Sequence, residues 1–191
     1  MKNTITVKRI TKNAILLAMM CVLGMFSLPL GANIKVSLQL LMVFIICLTA
    51  SHVIDCVIIT SLYLLLGLLL PIYAGFAVGV TPTFGYVISF VIISPIIFYL
   101  NKIPKIHPVL RMIIACAVGL VVCYIIGTIF MMLYLSFTLE KTLMISVVPY
   151  IPFDIAKITI AILITLLLPK SVIDDQKKTK KQENNQETIE K

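Results

Sequence analysis

The chain has 191 residues, of which 60% are hydrophobic and only 13% charged, with a mean hydropathy of +1.10. A soluble core of this size has no room for so much apolar surface, which excludes an ordinary soluble domain. The formal charge of +8 gathers at the two ends and in one loop, as cytoplasmic segments of membrane proteins do, and this excludes a nucleic-acid-binding stripe.

Apolar runs of roughly 17 residues or more recur along the chain, the length a helix needs to cross about 30 Å of hydrocarbon. They predict an all-α polytopic membrane protein with six spans, near 13–30, 37–53, 55–71, 84–100, 109–135 and 149–168. Residues 1–12, with Lys2, Lys8, Arg9 and Lys12, read as a basic cytoplasmic segment. The run from Ala14 to Leu30 is longer than a leader's apolar region and lacks an A-x-A site, so it reads as the first span. Within it, Ala14 and Ala18 form a small-x-x-x-small face that lets another helix approach closely.

The stretch "LPLGANIKVSLQLL" places Lys35, Ser37 and Gln39 at the mouth of the second span, and "SHVID" alone separates the second from the third. The third span gives way to "PIYAGFAVGVTPTFGY", with Tyr73, Gly75, Gly79, Thr81, Thr83, Gly85 and Tyr86. Glycines there allow backbone to approach a ligand, and tyrosines offer a flat apolar face with a polar tip. Irregular backbone at membrane depth is tolerated mainly around protein or an aqueous cavity, so these residues predict a cavity on that side. A basic loop, with Lys102, Lys105 and Arg111, joins the fourth span to the fifth. The fifth is long enough to tilt or protrude. Beyond Leu168, residues 169–191 turn polar and read as a disordered cytoplasmic tail.

With the N-terminus inside, an even number of spans returns the C-terminus inside, and both ends are basic. The loops Pro29–Val36, Pro71–Thr83 and Ser136–Val148 then lie outside, and each carries at most one basic residue. The sixth span therefore enters from outside, through "PYIPFDIAK". Pro152 suits a first helical position, and Asp154 falls in the first turn, where the helix dipole favours an anion. Asp154 and Lys157 are three residues apart and share a face. They read either as a self-neutralising pair facing neighbouring helices or as a ligand site.

The five cysteines show no C-x-x-C spacing, which gives a zinc site or redox dithiol no support. No G-x-x-x-x-G-K-[ST], H-E-x-x-H or G-x-S-x-G motif occurs, so ATP hydrolysis would fall to partner subunits. No metal or cofactor is expected. An intramembrane enzyme using Asp154 as acid or base is the alternative of another class. It lacks a second catalytic group on the outer side, since His52 and His107 map to the cytoplasmic side.

The motifs L-P-L-G, V-S-L-Q, Y-L-L-L-G-L-L-L-P-I-Y-A-G-F, P-T-F-G-Y and P-Y-I-P-F-D-I-A-K, in that order over residues 10–168, resemble the BioY family. Its members are biotin-specific substrate-binding subunits, the S components of energy-coupling factor (ECF) transporters. The resemblance implies that Asp154, Lys157, Gln39 and Tyr86 hold the vitamin, in a pocket to which Tyr73 and Gly75 are also assigned. It implies too that Ala14 and Ala18 dock on a transmembrane coupling subunit working with ATPase subunits. Lys35 stands where the family usually has proline, and is assigned here to a carboxylate tail. Phe84 replaces a glycine, and the outer loop is shorter. These departures leave another vitamin or small carboxylate as the alternative substrate.

Overall fold

Each apolar run becomes a helix, and the polar joints between them set the turns. The computed structural model describes residues 7–29, 35–104 and 107–168. Within these residues the helices are α1 (Val7–Met25), α2 (Gln39–Thr49), α3 (Val53–Leu69), α4 (Phe84–Leu100), α5 (Pro108–Leu135), α6 (Leu139–Ser146) and α7 (Ile151–Leu167). A short ribbon, β1 (Ser27–Pro29) against β2 (Lys35–Ser37), is antiparallel, with Ser27 opposite Ser37. Residues 1–6 and 169–191, where the basic N-terminal end and the polar tail are expected, lie outside the described residues.

The bundle is inside-out by the standards of a protein in water. Along α5, Val121, Ile125, Ile129 and Leu133 repeat every fourth residue and point outward, with Leu133 72% exposed. Ile155 and Leu163 on α7 and Leu62, Leu65 and Leu69 on α3 do the same. An apolar exterior that surrounds the bundle is a surface for lipid rather than water. By length and composition α5 can cross a bilayer alone, and α6 with α7 can do so as one span bent by 49°. Helices α2, α3 and α4 are apolar too but shorter.

All eleven residues of α2 are buried. This helix is the axis of the bundle, in contact with α1, α3, α4 and α7, while α4 lies along α5. At its end, α1 is clamped to α3. Arg9 Nε donates to both oxygens of Asp55 at 2.8 and 3.0 Å, Asn13 Nδ2 donates to Asp55 Oδ1 at 2.7 Å, and Lys12 Nζ donates to the Thr49 carbonyl at 2.8 Å. Burial first and the Arg9 charge second push the neighbouring His52 imidazole below its ordinary range, and Asp55 opposes them.

Several boundaries differ from those read in the sequence. Helix α1 begins six residues earlier than the first predicted span, because Arg9 and Lys12 find partners on α2 and α3 and need no water. It ends at Met25, where the β ribbon begins. Helix α2 is shorter than expected at both ends, because β2 takes Ser37 and the joint to α3 takes Ala50 to His52. Segment 136–148, expected to be a loop, holds α6, joined to α5 by Ser136 in the left-handed conformation at φ 53°.

Candidate functional site

Helices α2, α4, α5, α6 and α7 enclose a cavity of about 270 Å³ beneath the loop that joins α3 to α4. Its polar floor comes from α7. Asp154 and Lys157 stand one turn apart, both buried, with Lys157 Nζ 2.7 Å from Asp154 Oδ1. The second carboxylate oxygen accepts the Tyr124 hydroxyl proton from α5 at 2.5 Å. Each Asp154 oxygen therefore has one protein donor and lone pairs to spare, and the ammonium keeps protons for a guest. A buried ion pair is seldom worth its desolvation as a stabilising device, so its place in a cavity wall points to binding.

Opposite the pair, Gln39 opens α2. Its Nε2 donates to the Tyr63 hydroxyl at 2.6 Å, and its Oε1 accepts from Ser37 at 3.3 Å. Tyr86, from the first turn of α4, rests its ring on Gly127 of α5 and donates its hydroxyl to the Ser146 carbonyl of α6 at 3.3 Å. Leu40, Phe90, Met131 and Ile145 supply apolar wall, and Ser37, Thr83, Ser146 and Tyr150 polar edge. Cys123 also lines the cavity, and Ser89 Oγ lies 3.0 Å from its sulfur. The arrangement can hold a small molecule with an apolar body and several hydrogen-bonding groups. Among the described residues no cluster of histidine, cysteine and carboxylate groups could hold a metal ion.

Four residues read from the sequence as pocket-lining (Asp154, Lys157, Gln39 and Tyr86) meet at this cavity. Tyr73 and Gly75 do not line it. Tyr73 turns back on α3, where the bare Gly67 admits its ring and the Leu64 carbonyl accepts its hydroxyl at 2.6 Å. Gly75 adopts φ 72°, and its N–H donates to the Met25 carbonyl at 3.1 Å, tying the loop to α1. The loop residues at the wall are Ala74 and Thr83. The backbone of Lys35 pairs with Pro29 in the ribbon, and its side chain lies outside the described residues. Ala14 and Ala18 are exposed, leaving that face of α1 uncovered by the rest of the bundle.

Tyr124, Ser146 and Tyr150 were not singled out from the sequence. Tyr124 also borders a second hollow of about 280 Å³ between α5 and α6, whose other walls are apolar except for Thr128. That hollow faces the lipid side, next to the outward Val121, Ile125 and Ile129, and has no charged group. Tyr124 is thus the partition between the lipid-facing groove and the charged cavity.

Comparison with known proteins bears on this site. The model of the BioY family matches residues 1–174. The biotin transporter BioY of Thermotoga maritima is 27% identical over 172 residues, covering 87% of this chain and 99% of the relative. A crystal structure of the S-component for biotin from an ECF-type ABC transporter superposes with a TM-score of 0.75 at 23% identity, over 86% of this chain and 92% of that one. The solved structure supports the helical membrane fold, and the family match runs through every helix that walls the cavity. On these grounds the chain belongs to the BioY family.

Proposed function

We propose that this chain is the substrate-binding membrane subunit of a vitamin uptake transporter, and that the cavity between α2 and α7 binds biotin. Family membership and the relative's name support the substrate class, and the observation that carries the site is the buried Lys157–Asp154–Tyr124 cluster in the cavity wall. Biotin has a cyclic urea with two N–H donors and a carbonyl acceptor, a thioether ring and a carboxylate tail. The lone pairs left on Asp154 suit the urea N–H groups, and the protons left on Lys157 suit its carbonyl or a carboxylate. Leu40, Phe90, Met131 and Ile145 suit the apolar ring system. Gln39 and Tyr86 complete the reading, and Lys35 is assigned to the tail.

Both termini are placed in the cytoplasm, which opens the cavity to the outside, with residues 13–168 as the membrane domain between two polar ends. Transport against a gradient then rests on a transmembrane coupling subunit, docked on the Ala14–Ala18 face, and on ATPase subunits, because this sequence has no phosphate-binding loop. The test is a calorimetric titration of the detergent-purified protein with biotin, after mass spectrometry of small molecules that co-purify. Saturable 1:1 binding is the expected result. Binding of a different small carboxylate, with no response to biotin, overturns the substrate and keeps the subunit class.

A further inference from the structure

We propose that Tyr63 is a positioning residue for ligand binding: it fixes the Gln39 amide in one orientation and ties that amide to the outer loop. Tyr63 is wholly buried in α3 and does not line the cavity. Its hydroxyl donates to the Ile72 carbonyl at 2.9 Å. A phenol has one proton, so toward Gln39 the same oxygen can only accept. Gln39 must therefore offer Nε2, which lies 2.6 Å away, and its Oε1 must turn toward Ser37, whose hydroxyl donates at 3.3 Å. A carbonyl at one end thus determines the polarity of the whole chain, Ser37 to Gln39 to Tyr63 to Ile72. One amide hydrogen and one lone pair of Gln39 are left for a guest, always on the same sides.

The relay also links parts of the molecule that the cavity alone does not. Ile72 begins the loop that supplies Ala74 and Thr83 to the cavity wall. Gly24 of α1 lies directly over the Tyr63 hydroxyl, and a methyl group there would collide with that oxygen and come within 3.0 Å of the Ile72 carbonyl. The missing side chain of Gly24 is what gives the hydroxyl its place. Loss of the phenol proton and oxygen would leave both the Gln39 amide and the Ile72 carbonyl without their partner, so the amide could rotate.

This inference rests on the biotin reading, and the test separates the two. Biotin affinity is measured by calorimetry on the full, detergent-purified chain as the parent, Tyr63→Phe, Gln39→Ala and the double variant. A parent that ignores biotin overturns the functional reading before any variant is made. With a parent that binds, Tyr63→Phe is expected to weaken binding about ten-fold, and by less than about two-fold once Gln39 is already alanine. Gly24→Ala keeps every hydrogen-bonding group but displaces the hydroxyl, and it replaces Tyr63→Phe in the cycle should that variant not fold. Equal losses in both Gln39 backgrounds, or parental affinity in Tyr63→Phe, overturn the role of Tyr63.

Discussion

The ring of Tyr86 lies flat on the bare backbone of Gly127, so that a Cβ at position 127 would overlap the ring itself. The glycine on α5 thereby decides where a cavity-lining tyrosine of α4 can stand, and the Ser146 carbonyl holds the hydroxyl at the other end. Gly127→Ala forces the ring into the cavity or off Ser146, and biotin affinity is expected to fall about ten-fold. Gly119→Ala is the control, since its methyl would meet the flexible end of Ile97, well away from the cavity. Equal affinities for the two alanine variants would show that Tyr86 has no defined place in binding.

Asp154 and Lys157 can be separated into binding and structural roles. Asp154→Asn and Lys157→Met are each expected to weaken biotin binding by about one to two orders of magnitude, since hydrogen bonds to charged groups contribute roughly 1.5–3 kcal/mol. Each single change also leaves a buried partner uncompensated and should lower thermal stability in detergent. The double variant should regain stability without regaining affinity. Recovery of both together would mean the pair serves folding alone.

At the other end of the bundle, Asp55 is the hub of the α1 clamp. Asp55→Asn keeps the shape but removes the charge that Arg9 and Asn13 address, and a stability loss of about 2 kcal/mol is expected. His52 reports the same change. Asp55 raises the imidazole pKa while Arg9 lowers it, so Asp55→Asn should move its titration to lower pH and Arg9→Gln to higher pH. Titration of His52 by NMR in detergent checks both signs, and a titration that Arg9→Gln leaves unmoved would mean the clamp is not formed in solution.

Orientation is checked by labelling single cysteines in a cysteine-free background from outside the cell. A probe at Ser136 to Thr138, before α6, should react, and one at Lys105, in the basic loop, should not. The reverse pattern would turn the cavity toward the cytoplasm and remove the basis for uptake.

The uncovered face of α1 predicts a separation of functions. Large side chains at both Ala14 and Ala18 should abolish biotin uptake by cells that carry the coupling subunits and leave biotin binding by the purified protein unchanged. Loss of binding along with uptake would place that face inside the working bundle.

Much of this fold could be read from apolar run length. Helix α4 (Phe84–Leu100) coincides with the span read from the sequence, and α3, α5 and α7 lie within two residues of theirs. The errors come from partners that lie far apart in the chain. Arg9 and Lys12 look like water-seeking residues until Asp55 and the Thr49 carbonyl meet them. Glu140 and Lys141 make an eight-residue helix look like a loop. Asp154 and Lys157 announced themselves by their cost in an apolar run, whereas Tyr124 did not. A tyrosine among Cys, Val and Ile on a helix apolar all round gives no sign of which side it faces. The placement of Tyr73 is illegible for the converse reason, because the gap at Gly67, on another element, is what receives its ring.

The burial of α2 on every side has a consequence for how the protein is made. Eleven helical residues reach only about 17 Å, too short to settle across about 30 Å of hydrocarbon unaided. With only Ala50 to His52 between them, α2 and α3 have to enter the membrane as one hairpin. Of the four helices that finally pack around α2, both α4 and α7 are synthesised after the hairpin, so the environment of α2 during insertion differs from the one it ends in. Lengthening the joint between α2 and α3 should therefore harm assembly in the cell more than it harms the finished fold.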